Sequence, residues 1–148
     1  MRYEIKFPLP PAWTSEEDTY EEVDGALITN MECLLPRPGS DADEAQINLY
    51  VGDMPADTTA EDEAYANYAE IIGWDDDDEE DTIAEWRFQG KKAYGFSGEC
   101  EDGSIMLVMC MEVVRKGLLI LSIVADNDEE VSKWAQYVEA NLKVKSFA

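Results

Sequence analysis

The chain reads as an α+β protein: a largely antiparallel β-sheet with helices packed on its faces. Three observations predict this. Between Thr82 and Ala125 four strand-like segments follow one another through short turns, the pattern of an antiparallel meander. Two segments, over residues 58–74 and 127–142, carry apolar residues at helical spacing. The last two strands of the meander, "SIMLVMCMEVV" and "LLILSIVA", are apolar on both faces, so the sheet needs cover on both sides, as in an α/β/α sandwich. A length of 148 residues with 45% hydrophobic residues suits one domain, 1–148, with a core of its own.

Each element has a local reason. "YEIKFPLP" alternates and then meets Pro8, Pro10 and Pro11, which cannot donate to a sheet ladder. "TSEEDTYEEVDG", Thr14 to Gly25, is polar throughout and reads as an acidic loop. "ALITNMECLL" is a strand halted by the loop "PRPGSDAD". "AQINLYVG" alternates, with Ile47, Leu49 and Val51 on one face. In the first helix Thr58 and Glu61 have capping-box spacing, and Ala60, Ala64, Tyr68, Ala69, Ile71 and Ile72 form its stripe. Gly73 suits the left-handed position after its end. "TIAEWRFQ" puts Ala84, Trp86 and Phe88 on one face, "GK" is a turn, and "KAYGFSGEC" brings Tyr94 and Phe96 back. "EDG" signals the next turn. Asn127 with Glu130 caps the second helix, whose inner stripe is Val131, Trp134, Ala135, Val138 and Leu142. "KVKSF" closes the chain as a short strand.

Charge excludes several partners. Asp and Glu number 34 against 11 Lys and Arg, a formal net charge of −23. Such a surface repels phosphate backbones and anionic membranes, so neither nucleic acid nor membrane is expected as a partner. It attracts a basic protein partner, with strong salt dependence. Histidine is absent, which removes Ser–His and Cys–His nucleophile pairs and imidazole metal sites. Cys33, Cys100 and Cys110 form no CxxC pair and read as free thiols of a reducing compartment. The opening "MRYEIKFPLP" lacks the apolar core of a secretory signal, and the apolar runs are too short to span a bilayer, so a cytoplasmic location is expected. "GKKAYG" and "GFSG" lack the spacing of a phosphate-binding or dinucleotide loop, and no cofactor is expected.

The run "WDDDDEED" is the sharpest local feature. Seven adjacent carboxylates at ~6 Å repel by roughly 0.7 kcal/mol per neighbouring pair even in water, which favours an extended, solvated segment. As a calcium loop it fails: counting from Asp75, position six is Glu80 where glycine is needed, and position twelve is Trp86 where a bidentate Glu is needed. A docking surface for a basic partner remains, with Trp13 and Trp74 beside loops as anchors or as caps on the core edge. The candidate partner-binding residues are therefore Trp13, Trp74, Asp75, Asp76, Asp77, Asp78, Glu79, Glu80 and Asp81, with no catalytic or metal-ligating set. Trp86, Trp134, Met106, Met109 and Met111 read as core. If one face of the sheet were left open, it would form an apolar groove with an acidic rim, suited to an apolar segment of a partner. Glu112 reads as lying near a strand end, facing solvent or paired with Lys or Arg. The leading reading is a small protein-interaction module, an adaptor, chaperone or immunity-type inhibitor for a basic or apolar partner. The alternative is a carboxylate-dependent hydrolase or a calcium-modulated domain.

The opening "FPLPPAW", the mid-chain helix, the long meander, the penultimate helix and the terminal "KVKSF" resemble the PsbP-like fold superfamily. Phe7, Pro10, Trp13, Ser146 and Phe147 carry the letters of this resemblance. It implies an antiparallel sheet between helical layers. The superfamily includes an extrinsic photosystem II subunit and a Ran-binding import factor. It also includes a bacterial branch, similar in size and in its proline-tryptophan opening, whose members act as adaptors or chaperones for type six secretion effectors. No functional residues carry over.

Overall fold

The computed structural model describes residues 2–22, 27–40, 42–71, 83–113 and 116–147. These form an α+β fold of nine strands and two helices. In chain order they are β1 (Arg2–Lys6), β2 (Thr14–Glu21), β3 (Leu27–Pro36), β4 (Asp43–Asp53), α1 (Ala60–Ile71), β5 (Ala84–Phe88), β6 (Lys91–Glu99), β7 (Ile105–Val113), β8 (Gly117–Ala125), α2 (Asp128–Asn141) and β9 (Lys143–Phe147). Seven strands make one sheet in the order β2-β3-β4-β8-β7-β6-β5, and β1 pairs with β9 in a separate ribbon. Every pairing is antiparallel. The meander expected after Thr82 is β5 to β8.

The two faces of this sheet are covered differently. On one face Ile47, Leu49 and Val51 of β4, Leu119, Leu121 and Ile123 of β8, and Met109 and Met111 of β7 form a single core with Val131, Trp134 and Val138 of α2 and Tyr3 and Ile5 of the ribbon. On the other face Ala60 and Ala64 of α1 lie against Cys110 and Leu118, and Tyr68 stacks edge-on against Phe96 at 5.2 Å. The helices thus lie on opposite faces, as the apolar runs of β7 and β8 require. Over β2 to β4 the α1 face is largely polar, with Asn30, Glu32, Gln46 and Asn48, and Ile28 is buried on it against Gly52. Alternation survives in β4 for this reason and is lost in β7 and β8.

Three local expectations are corrected. The polar stretch from Thr14 is a strand, paired with β3 over its full length from Thr14↔Leu34 to Glu21↔Leu27. All eight of its residues are exposed, so it has no apolar face for periodicity to reveal. The capping box of α1 sits one residue later than expected. The Thr59 N–H donates to Asp62 Oδ2 at 3.1 Å and the Asp62 N–H to Thr59 Oγ1 at 3.2 Å, while the Thr58 hydroxyl turns to the Pro55 carbonyl. The β5–β6 turn is Gln89–Gly90 rather than Gly90–Lys91: both residues have positive φ, 51° and 80°, as a two-residue hairpin turn requires. The Asn127 cap of α2 is as read, its side chain accepting from the Glu130 N–H at 2.9 Å.

Gly95 is the tightest point of the sheet. A Cβ there would collide with the Val108 carbonyl oxygen and lie 2.9 Å from Met109 Cα, both backbone atoms of the neighbouring strand. Gly95→Ala is expected to lower stability by about 3 kcal/mol, because the strand itself must shift; urea denaturation measures it, and a loss below about 0.5 kcal/mol would show that β6 and β7 can separate there freely.

Burial, with Glu32 and Glu63 adding to it, pushes the Cys33 and Cys110 thiols from an ordinary 9 up to about 12. Their neutral forms are favoured in the folded state. The stability they carry is therefore complete below pH 9 and falls as pH rises from 9 toward 12. Native protein at pH 8 is expected to react with iodoacetamide at half-buried Cys100 alone, and at Cys33 and Cys110 only on adding denaturant, as peptide mass mapping would show.

Candidate protein-interaction groove

The α2 face of the sheet is not filled evenly. Helix α2 lies over β8 and β7. Next to β7, the middle of strand β6 turns Ala93, Gly95 and Ser97 toward this face, opposite Met111, Met109 and Leu107, with Lys91 and Glu99 at its ends. Three small residues at alternate positions leave a trough between α2 and the edge strand β5. Its volume is about 300 Å³. Trp86 and Phe88 of β5 form one wall, Val131 and Ala135 of α2 the other, and Leu107 and Met109 the floor. Asp128 and Glu139 stand at its margin with Ser132 and Gln136, and Arg87 is the one cation in its lining. Phe88, Met109 and Val131 are buried, whereas Trp86, Leu107 and Ala135 are half-buried and present apolar surface. Trp86 thus differs from the fully packed core residue expected.

The wall is held in place at its turn end. The Gln89 N–H donates to Glu139 Oε2 at 2.8 Å, and the Gln89 amide donates to the carbonyls of Glu139 at 2.9 Å and Leu142 at 2.8 Å. These bonds tie the β5–β6 turn to the end of α2 and set the width of the trough. They also commit one Glu139 oxygen to the fold.

The expected site residues fall in different places. Trp13 is 9% exposed and belongs to the core, its ring edge-on to Trp134 at 4.7 Å. Such a pair is worth about 0.5–1.5 kcal/mol beyond burial, and the ring area a partner would need is already covered. Trp74 and Asp75 through Asp81 lie outside the described residues. Glu112 is exposed at the end of β7 beside Lys91 and Lys116, in line with its expected placement. Among the described residues no three His, Cys, Asp or Glu side chains are grouped to hold a metal ion, and no helix is long and apolar enough to cross a membrane.

A second acidic surface does lie within the described residues. Strand β2 is the edge of the seven-stranded sheet and carries Glu16, Glu17, Asp18 and Glu21, all exposed. Charges on an edge oppose pairing with another sheet, whatever else they do. The trough residues escaped the sequence reading, although the alternation Ala93, Gly95, Ser97 in "KAYGFSG" was a usable signal for a gap above β6.

No family model matches the chain, and neither a curated protein nor a solved structure matches it at significance.

The edge role of β2 has a direct check. Replacing Glu16, Glu17 and Asp18 together by Thr keeps strand propensity and removes three charges. Light scattering is expected to show larger, concentration-dependent species relative to the unsubstituted chain; an unchanged size distribution would mean that the carboxylates do not guard this edge.

Proposed function

We propose that the chain is a non-enzymatic protein-interaction module, of adaptor, chaperone or immunity-inhibitor type, that takes a short partner segment in the trough between α2 and β5. The segment would carry an aromatic or branched apolar side chain with Lys or Arg beside it. The observation that carries this reading is the trough itself: walls of Trp86, Phe88, Val131 and Ala135 over a floor of Leu107 and Met109, with Asp128 and Glu139 at the margin. Burying one large apolar side chain there contributes about 1.5–3 kcal/mol. The margin carboxylates select a cationic flank, and the net charge of −23 raises its encounter rate.

Trp74 and the carboxylates from Asp75 to Asp81 are proposed to add to the same negative field. The PsbP-like resemblance belongs to this proposal too, since its secretion-adaptor branch would use a groove of this kind in the cytoplasm to hold an apolar segment.

Selection of random displayed peptides on the immobilised protein tests the reading. Recovered sequences are expected to pair an apolar anchor with Lys or Arg. Their affinity should fall at least tenfold between about 50 and 500 mM salt. Ala135→Arg, which fills the trough from the half-buried wall of α2, should abolish binding while leaving the melting temperature within a few degrees. Peptides that bind Ala135→Arg as well as the unsubstituted protein would sink the proposal.

A further inference from the structure

Cations are scarce in this chain, yet they are not scattered. Of its 11 Lys and Arg, four lie on the exposed face of the β1–β9 ribbon, namely Arg2, Lys6, Lys143 and Lys145. Four more, Arg87, Lys91, Lys92 and Lys116, line one groove at the end of β5, β6 and β7. The two groups are neighbours, since Lys91 and Val144 of β9 border the same small cavity. Arg37 and Lys133 lie elsewhere and are ion-paired, to Asp126 at 2.7 Å and Glu130 at 3.8 Å. One end of the molecule is therefore basic within a strongly acidic whole. Lys145 shows the crowding: a hydrogen bond with Lys6, and then the repulsion of its charge, lowers its pKa.

The groove has the size and chemistry of a ligand site. Its volume is about 620 Å³, within the range of roughly 300–1,000 Å³ typical of small-molecule pockets. The four cations come from two strands and a turn and all border this space, Arg87 and Lys92 from one face of the β5–β6 hairpin and Lys91 from the alternate position beside Lys92. Lys91 and Lys116 make no ion pair among the described residues, whereas Lys92 approaches Glu85 only at 3.8 Å. Arg87 Nη1 donates to the Gly90 carbonyl at 3.2 Å, which leaves its other donors free to point elsewhere. Lys116 is held in the left-handed region at φ 60° while its carbonyl accepts the Met54 N–H at 2.9 Å, a backbone strain of the kind that collects at binding sites. Tyr94 adds a ring and a hydroxyl to the wall, and Glu112 is the one carboxylate in the lining among the described residues.

We propose that this groove binds a phosphate-bearing small molecule with the charge of a diphosphate or more, held by Arg87, Lys91, Lys92 and Lys116. Several ammonium groups and a guanidinium suit a multivalent anion better than a single carboxylate. The binding is by side chains, since no glycine-rich loop is present to cradle phosphate with backbone amides. The acidic β2 edge lies on the order of 30 Å away across the sheet, beyond about 8 Å of screening at physiological salt, so the carboxylates that oppose the groove's field are the nearer ones, Glu112 in the lining and Glu61, Asp62 and Glu63 in the first turn of α1, whose Thr59 and Ala60 border the groove.

Calorimetric titration of the full chain with pyrophosphate and with ADP, at fixed ionic strength, tests this. Saturable one-site binding below millimolar concentration is expected. Pyrophosphate alone would assign the groove to a free polyphosphate; tighter binding of ADP would assign it to a nucleotide-type ligand. Lys91→Met with Lys116→Met should weaken binding at least tenfold, and Glu112→Gln should tighten it two- to fivefold. All three side chains are exposed, so the melting temperature should hold. Lys143→Gln with Lys145→Gln, on the ribbon, should change affinity less than twofold. Absence of saturable binding, or a loss seen in the ribbon variant rather than the groove variant, would overturn the proposal.

Discussion

Strand β6 runs so close to β7 that at Gly95 the Val108 carbonyl occupies the place of a side chain. Only glycine permits this approach, and the β5–β6 hairpin is fixed to the sheet through it. The far end of the hairpin is fixed again where Gln89 binds the last turn of α2. Both surfaces singled out above are built on this hairpin. Its α2 side gives the trough its Trp86 and Phe88 wall, and its turn end gives the groove Arg87, Lys91 and Lys92. Arg87 borders both. A disturbance at Gly95 therefore reaches an apolar site and a cationic one together, although the residue itself contacts neither kind of ligand.

How far the fold was legible follows from where each element's side chains go. Strands β7 and β8 could be read because both of their faces are buried, and α2 because Val131, Trp134 and Val138 meet the core at helical spacing. Strand β2 could not: it covers no core, so its eight exposed residues carry no period, and only its pairing with β3 makes it a strand. The one-residue shift of the α1 cap has a similar cause. Thr58 and Thr59 are chemically alike, and what decides between them is the Pro55 carbonyl that takes the first hydroxyl. The candidate site was less legible than the fold. Trp13 looked like a loop tryptophan, and its partner Trp134 is 121 positions away in the chain, a proximity that depends on the ribbon docking over α2's face of the sheet. The trough is a gap, and gaps are written in small residues that seem uninformative one at a time.

The acidity is arranged so as to cost the fold little. Both helices begin with three carboxylates, Glu61, Asp62 and Glu63 in α1 and Asp128, Glu129 and Glu130 in α2, where the helix dipole favours negative charge. Four more stand on the β2 edge, fully solvated. Two polar groups of the interior are paired: the Tyr3 hydroxyl donates to the Asp53 carboxylate at 2.9 Å, and the buried Thr29 hydroxyl to the Tyr3 carbonyl at 2.9 Å. Burial and the nearby Asp53 carboxylate push the Tyr3 phenol far above its ordinary value, so it remains a neutral donor across the physiological range.

Net charge and local charge then answer different questions. A long polyanion must lie across many parts of the surface at once, and the whole-chain charge disfavours that, which is the ground of the expectation that nucleic acid is not a partner. A small anion samples only the few ångströms around it. With screening over about 8 Å, what it meets in the groove is Arg87, Lys91, Lys92 and Lys116 against one lining carboxylate. The same reasoning separates the two proposals built on the β5–β6 hairpin: a segment in the trough would gain affinity from apolar burial and selectivity from Asp128 and Glu139, whereas an anion in the groove would depend on the charges of Arg87, Lys91, Lys92 and Lys116. An overall charge of −23 is thus compatible with a cationic site, provided that the cations are gathered and outnumber the carboxylates within a screening length of it.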